Sequence, residues 1–459
     1  MKNILLLACL GLTLGLTSCN RTSRNTSPAL EGFKQWAATP PMGWNSWDCY
    51  GPTVTEAEVK ANADYMARYL KPYGWEYVVV DIRWFVENDK AGGYNQTDPI
   101  YVMDEYGRYQ PAVNRFPSAE GGAGFKPLAD YVHSLGLKFG IHIMRGISKK
   151  AVAEQLPILG ADSITADMIC SDSLLCQWLR DNYTVDMSKP GAQAYYNSLF
   201  NLYASWGVDF VKIDDMSRPY HTAEIEAVRQ AIDSCGRPIV LSLSPGETPI
   251  ANAKHVREHA NMWRMVDDVW DVWTDVTHLM DVAENWYRYI SPGTWPDCDM
   301  IPLGRISIRG ERGEPRQTRL TPDEQYSLMT LFTILRSPLM FGGDLPSLDE
   351  FTLSLLTNDE VLRMHRESTH PRRLLHTKGR LVISSRNEAT DEVYIAMFNI
   401  SDTDEQTMAV DLDAIGLEGT IHITDLWQSA DLGTFSGSFR RTLRPHACGL
   451  YLMKRERKR

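Results

Sequence analysis

Residues 207–215, which read GVDFVKIDD, show the pattern that decides the fold class of this chain. A glycine stops the preceding helical repeat, and a short β-branched run then ends in two acids. Similar runs alternate with helical periodicity from about residue 38 to residue 345. This alternation predicts a parallel sheet covered by helices.

Seven strands are expected in this region. Five are predicted at residues 76–81, 138–143, 209–214, 239–244 and 263–268, and two shorter ones near Met42 and Pro338. Between the strand near Met42 and the strand at residues 76–81 lies a predicted helix over residues 55–70, which starts with the capping box Thr55 and Glu58. Its apolar face is Val59, Ala63, Met66 and Leu70.

Five or more units of a strand followed by a helix, within about 300 residues, favour an eight-fold barrel, (β/α)8, over an open doubly wound sheet. No G-x-G-x-x-G turn follows the first strand, so a dinucleotide-binding fold is excluded. After about residue 370 the pattern changes to alternating strands, which predicts an antiparallel β-sandwich. The expected domains are the barrel at residues 38–368 and the sandwich at residues 369–459.

The N-terminus has the features of an export signal. Lys2 precedes an apolar stretch from Ile4 to Leu16, too short to span a bilayer as a helix. The following Leu16-Thr17-Ser18-Cys19 resembles a bacterial lipoprotein cleavage site. We therefore expect a signal peptide at residues 1–18, acylation of Cys19 and a polar tether over residues 19–37. The mature protein would be membrane-anchored at a periplasmic or cell-surface face.

Composition excludes several other classes. The 459 residues carry a net charge of −11, so no overall positive field attracts nucleic acid. Among the six cysteines after Cys19, Cys170 and Cys176 are close enough to bridge a short loop, and the sequence leaves that pairing open. No Cys/His cluster at metal spacing occurs, so we expect neither a metal nor an organic cofactor.

Acidic residues close several of the predicted strands. These are Asp81, Asp214 and Asp268, and Asp299 follows soon after Trp295. A single acid here is often a helix cap, but four such ends with aromatic or cationic neighbours favour a site. Carboxylates beside indole faces suit a sugar, and two of them can divide nucleophile and acid/base roles. A sugar-binding protein without turnover would use the same groups.

Strand alternation orders the acids within each pair. Lys212 and Asp214 share one face of a strand, which turns Asp215 away from them. The same parity pairs Arg264 with Asp268 and excludes Asp267. Asp214 is then the candidate nucleophile and Asp268 the candidate acid/base, with their carboxylates about 5 to 5.5 Å apart. His142, at another strand end, belongs either to the site or to the core.

These motifs together resemble glycoside hydrolase family 27. The match runs through residues 39–47 (TPPMGWNSW), Asp81 with Trp84, residues 207–214 and residues 263–268, and it continues in residues 295–300 and 337–340. The resemblance implies a retaining, exo-acting α-galactosidase (melibiase) with Asp214 as nucleophile and Asp268 as acid/base. It places substrate-binding groups at Trp47, Asp81, Lys212, Arg264 and Asp299, with Trp84 at the wall. Ile82 and Ser244 are expected at two further substrate-binding positions, where this sequence departs from the family pattern.

Three residues depart from the pattern implied by the resemblance. Ile82 replaces a second acid that grips the sugar hydroxyls, which makes β-L-arabinopyranosidase the main alternative, because L-arabinopyranose is galactose without its CH2OH arm. Ser244 is small and keeps α-N-acetylgalactosaminidase open. Met216 replaces a half-cystine of the relatives, so the disulfide beside the nucleophile is expected to be absent. The sequence places hydrolysis of terminal α-D-galactose first.

Overall fold

The computed structural model describes residues 30–94 and 97–456. The predicted signal peptide and the lipidation site Cys19 lie outside these residues. Within the described ranges, no helix has both the length and the apolar character required to cross a bilayer.

A nine-stranded parallel sheet forms the first domain. The strands, in chain order, are Met42–Asn45, Tyr77–Val80, Lys138–Met144, Phe210–Asp214, Val240–Leu243, Met262–Arg264, Trp295–Asp297, Met300–Ile301 and Leu339–Phe341. Each of the second to sixth strands pairs with the strand before it, and Leu339–Phe341 pairs with the first.

One interrupted strand closes the sheet. Trp295–Asp297 pairs with Met262–Arg264, and Met300–Ile301 pairs with Leu339–Phe341. Only Cys298 and Asp299 separate these two segments, so together they occupy the seventh position of an eight-fold barrel. The predicted (β/α)8 fold is confirmed.

Helices cover this sheet. The predicted capping box of Thr55 and Glu58 is present, and Val59, Ala63, Met66 and Leu70 are buried. The α-helices are Trp47–Tyr50, Glu56–Tyr65, Lys126–Ser134, Lys149–Ala153, Ala166–Ile169, Ala192–Trp206, Thr222–Ser234, Ala253–His259, Trp273–Ala283, Pro322–Ile334, Glu350–Leu356 and Asp359–Glu367. A π-helical turn spans Met66–Leu70, and 3-10 turns span Gly32–Ala37, Gly51–Thr53, Lys71–Tyr73, Pro117–Gly122, Ile250–Asn252, Tyr287–Tyr289, Leu345–Ser347 and Asp413–Ile415.

The strand predicted over residues 263–268 is shorter than expected. It covers only Met262–Arg264, and the chain then turns into a loop that carries Asp267 and Asp268. Met265 N still donates to Asp297 O, but beyond it no strand pairing continues. Asp267 and Asp268 therefore lie outside the strand, and the alternation of side chains along a strand does not determine where they point.

Two small sheets lie in loops that follow barrel strands. Asn182–Val185 pairs with Ile147–Ser148 and with Cys170–Ser171, and Arg305–Ile306 pairs with Arg316–Gln317. The chain between these short strands supplies several side chains to the site.

The C-terminal domain is an antiparallel β-sandwich, as predicted. Its six-stranded sheet has the order Thr369–Thr377, Arg380–Asn387, Glu392–Asn399, Cys448–Arg455, Ile421–Asp425 and Ala430–Phe435, and its second sheet pairs Gln406–Asp411 with Ser438–Leu443. The helix Pro322–Ile334 packs against this six-stranded sheet, so an apolar core joins the two domains.

Part of the predicted tether packs on the barrel. The Arg229 guanidinium lies over the rings of Phe33 and Trp36, 4.7 and 5.1 Å from their centroids, and Asn261 Nδ2 donates to Phe33 O at 3.0 Å. Residues 32–37 therefore belong to the folded barrel surface, and a tether is left as an expectation only for residues 19–29, outside the described part.

The six cysteines of the described residues are all free thiols. The bridge between Cys170 and Cys176 that the sequence left open is therefore not formed. Met216 is buried beside the candidate nucleophile.

Candidate active site

A cavity of about 250 Å³ opens at the carboxyl ends of the barrel strands. This volume is just below the usual range for small-molecule sites, about 300–1,000 Å³, and suits one sugar ring. Of the residues predicted from the sequence, the structure brings together Trp47, Asp81, Lys212, Asp214, Ser244, Arg264, Asp268 and Asp299 at its lining.

Asp214 closes its barrel strand and is held from several sides. Its Oδ2 accepts a hydrogen bond from Trp178 Nε1 at 3.3 Å and lies 4.0 Å from His142 Nε2. Its Oδ1 accepts from the amide of Asp215 at 3.0 Å. These contacts fix the carboxylate in one orientation toward the cavity, as a nucleophile requires.

Asp215 points away from the cavity into a buried ion cluster. The Arg145 guanidinium contacts Asp215 Oδ2 at 2.6 Å and Glu224 Oε1 at 2.7 Å, and Arg145 N donates to Asp214 O. Burial raises the pKa of Asp215 to about 6, although Arg145 opposes this. Arg145 therefore compensates the charges of Asp215 and Glu224, and its backbone amide holds the backbone of the candidate nucleophile Asp214.

Asp81 is fully buried and permanently ionised near neutral pH. His142 Nδ1 lies 2.6 Å from its Oδ1, and Lys212 Nζ lies 3.7 Å from its Oδ2. Burial alone would raise the pKa of Asp81, but the His142 ring and the Lys212 ammonium lower it to about 2. His142, which the sequence left between site and core, thus lines the cavity and orients Asp81.

Arg264 bridges two acids. Its guanidinium contacts Asp299 Oδ1 at 2.6 Å and Asp268 Oδ1 at 3.1 Å, and the amide of Val269 donates to Asp299 Oδ2. Burial raises the pKa of Asp299 to about 7, whereas Arg264 and Lys212 hold the pKa of the partly exposed Asp268 below its usual value. The two ionisations are linked, so the pair retains a proton up to about pH 7.

Asp267 lies at the cavity rim. Its carboxylate forms an exposed ion pair with Arg218 at 3.0 Å. Among the charges around Asp268, Arg264 has the largest effect on its pKa because the guanidinium is in direct contact. The side chain of Asp268 is 40% exposed and faces the cavity mouth, where a leaving group would depart.

Aromatic side chains form the apolar surface of the site. Trp47 stacks on Tyr94 with ring centroids 5.2 Å apart, and its Nε1 donates to Glu311 Oε2 at 3.1 Å. Trp178 and Trp270 complete the aromatic lining. These rings offer flat faces for the C–H groups of a sugar.

Trp84 does not lie at the cavity wall, contrary to the prediction. Its ring is fully buried against Phe85, Phe125 and Trp206, and its Nε1 donates to His142 O at 2.8 Å. The indole lies among the covering residues of the barrel and supports the strand that carries His142.

Ile82 also lies outside the cavity lining, but it adjoins the site. Its side chain is fully buried in an apolar cluster with Trp47, Met144 and Leu179, against which Tyr94 and Trp178 pack. Around Ile82, the layer of side chains behind the lining residues is therefore apolar.

Several lining residues escaped the sequence analysis. They are Asp48, Tyr94, Trp178, Arg218, Trp270, Glu311 and Arg312. Asp48 directly follows the quoted motif at residues 39–47, and adjacency to Trp47 was its only signal. Its carboxyl is buried, its Oδ2 accepts no hydrogen bond from the described residues, and burial together with Asp299 raises its pKa well above the usual value.

Comparisons with known proteins agree with this architecture. A family model described as "Alpha galactosidase A" matches residues 166–367, and one described as "Alpha galactosidase C-terminal beta sandwich domain" matches residues 378–453. The α-galactosidase of Cyamopsis tetragonoloba is 27% identical over 429 residues, 90% of this chain and 86% of that protein.

Two solved structures are more similar. A family 27 β-L-arabinopyranosidase from Geobacillus stearothermophilus, in complex with arabinose, is 50% identical with a TM-score of 0.91, covering 93% of this chain and 100% of that one. A Bacillus halodurans protein, described provisionally as an α-N-acetylgalactosaminidase, is 47% identical with a TM-score of 0.82, covering 91% of this chain and 98% of that one.

Replacing Arg145 by methionine is expected to destabilise the protein by about 3–5 kcal/mol, because Asp215 and Glu224 would be left buried without a cation. Lys126→Met is the matched control, since Lys126 and Asp130 form a surface pair and its loss should cost about 1 kcal/mol or less. Urea unfolding of the two variants measures the difference. Equal losses of stability would contradict the role given to Arg145.

Proposed function

Since the chain belongs to glycoside hydrolase family 27, we propose that it is a retaining, exo-acting glycosidase whose preferred substrates carry terminal β-L-arabinopyranosyl residues. The protein is a glycoside hydrolase, and the proposal concerns its sugar preference and its mechanism. Hydrolysis of terminal α-D-galactosides is the second candidate. The sequence analysis placed these two sugars in the reverse order.

The buried side chain of Ile82 is the observation that carries the sugar preference. A galactose ring would direct its CH2OH arm toward a region where the second acid is replaced by an apolar cluster. Burying a hydroxyl without a hydrogen-bond partner costs about 1–3 kcal/mol. A pentopyranose has no such arm, so it avoids this cost while presenting the same ring hydroxyls to Asp81 and Lys212.

Similarity to the Geobacillus arabinopyranosidase supports this order, because that protein is about twice as similar in sequence as the plant α-galactosidase. The small Ser244 at the lining supports a third candidate, an α-N-acetylgalactosaminide, and the Bacillus halodurans protein carries a description of that kind. We rank it last because Pro245 and Arg218 also line this cavity, whose volume of about 250 Å³ suits one sugar ring without a bulky substituent.

In the proposed mechanism Asp214 attacks the anomeric carbon and forms a covalent glycosyl-enzyme. Trp178 and the amide of Asp215 each donate to one carboxylate oxygen, which fixes its direction without neutralising it. The nearby buried cation Lys212 favours the ionised form of the neighbouring acids.

Asp268 delivers the proton to the departing oxygen and then removes one from the incoming water. In the ligand-free site Arg264 stabilises its ionised form, while Asp299 on the same guanidinium holds a proton up to about pH 7. A bound sugar excludes water from the mouth and raises the cost of the charge on Asp268. Asp268 therefore takes up a proton from solvent as the substrate binds, and it transfers this proton to the leaving group when Asp214 attacks.

The substrate order is tested by the ratio of kcat/KM for an aryl β-L-arabinopyranoside and an aryl α-D-galactoside. The wild type should prefer the pentoside about 10- to 100-fold, the kinetic equivalent of one unpaired buried hydroxyl. Ile82→Asp should lower or reverse this preference, because the carboxylate accepts the galactose hydroxyl. Ile82→Leu is the matched apolar control and should keep it.

Each ratio is internal to one variant, so a general loss of activity does not affect it. A wild-type preference for the galactoside that Ile82→Asp leaves unchanged would overturn the proposed order. An aryl α-N-acetylgalactosaminide is the third substrate in the series, and its preference by the wild type would establish the third candidate instead.

We propose further that the protein is exported and anchored through an acylated Cys19, on the basis of the apolar stretch and the Leu-Thr-Ser-Cys sequence at residues 16–19. Cells fed a labelled fatty acid should incorporate it into the wild type and not into Cys19→Ser. Labelling of both chains, or of neither, would contradict the anchor.

A further inference from the structure

We propose that Glu226, His255 and His259 form a binding site for a Zn²⁺-class divalent metal ion on the outer surface of the barrel. Glu226 belongs to the helix Thr222–Ser234, and the two histidines belong to the next helix, Ala253–His259. None of the three lines the sugar cavity. The sequence analysis expected no metal because it did not weigh the close pair His255 and His259, and because 28 residues separate Glu226 from His255.

The three side chains converge on one point. One ligand atom from each lies within 4.8 Å of the ligand atoms of the other two. His255 and His259 are four residues apart on one helix face, and their rings stack with centroids 4.1 Å apart. A metal ion would need only small side-chain rotations to contact all three ligands.

The tautomer of His259 prepares one ligand atom. Its Nδ1 lies 2.7 Å from the backbone oxygen of His255. A carbonyl oxygen can only accept a hydrogen bond, so Nδ1 carries the proton and Nε2 of the neutral ring presents its lone pair. Metal-binding histidines are commonly oriented by this kind of contact to the other ring nitrogen.

His255 can change tautomer without losing its partner. Its Nδ1 lies 2.7 Å from the Tyr220 hydroxyl, and its Nε2 lies 3.3 Å from Glu226 Oε1. A tyrosine hydroxyl both donates and accepts, so Nδ1 can donate to it once a metal replaces the proton on Nε2.

The donor set determines the class of ion. Two imidazoles and one carboxylate suit zinc and similar borderline metals, whereas magnesium and calcium require mostly oxygen ligands. Because the ligands come from two helices, a bound ion would crosslink them and stabilise the folded state by linkage. The Tyr220 contact also joins this site to the loop that follows the candidate nucleophile.

Calorimetric titration of the purified protein with ZnCl2 tests the proposal. The wild type should bind one ion per chain, and MgCl2 should give no saturable heat. His259→Ala and Glu226→Gln should each weaken zinc binding at least about tenfold, the scale seen for groups that hold a metal. Glu226 is exposed, so its substitution leaves the fold intact.

His278→Ala is the matched control. His278 also pairs with a glutamate, Glu247, at 2.9 Å on the surface, but neither belongs to a group of three ligands among the described residues. Its zinc affinity should equal that of the wild type. Absence of saturable zinc binding by the wild type, or equal binding by wild type, His259→Ala and Glu226→Gln, would overturn the proposal.

Discussion

Two buried cations hold the acidic cavity together. Lys212 lies beside Asp81, and Arg264 bridges Asp268 and Asp299. A buried acid without such a partner either costs several kcal/mol or takes up a proton. The same compensation therefore permits the fold and determines which acids are ionised. Asp81 has a low pKa because the His142 ring and the Lys212 ammonium outweigh its burial. Asp299 has a high pKa because burial and the neighbouring acids Asp268 and Asp297 outweigh its contact with Arg264.

The sequence was sufficient where the backbone is regular. In the strand Phe210–Asp214, strict alternation places Lys212 and Asp214 together. Asp215 lies one residue beyond the strand with a φ of 64°, and its side chain contacts Arg145, on the side that the sequence predicted. Arg264 and Asp268 also meet, but for a different reason, because the strand ends at Arg264 and the contact forms across a loop. The position of Trp84 was predicted wrongly because it follows Asp81 by only three residues. Within those three residues the chain leaves the cavity, and the Trp84 ring packs in the layer that covers the barrel.

What the sequence missed comes from loops and from pairs distant in the chain. Trp178 and Glu311 lie in long loops, each of which is held in place by a small β-sheet, and they line the cavity from there. No periodicity marks their direction. Glu226 and His259 meet only because neighbouring helices pack side by side on the barrel. The strand that closes the barrel is interrupted at Cys298 and Asp299, and this interruption positions Asp299. Apart from the acids themselves, nothing in the local sequence predicted it.

The central claim is that Asp214 and Asp268 face one anomeric carbon from opposite sides. Azide rescue of Asp214→Gly and Asp268→Gly, with the product configuration read by NMR, tests it most directly. Azide should replace the nucleophile in the first variant and give an inverted glycosyl azide, and should attack the glycosyl-enzyme of the second and give a retained one. Products of the same configuration from both variants would contradict the account.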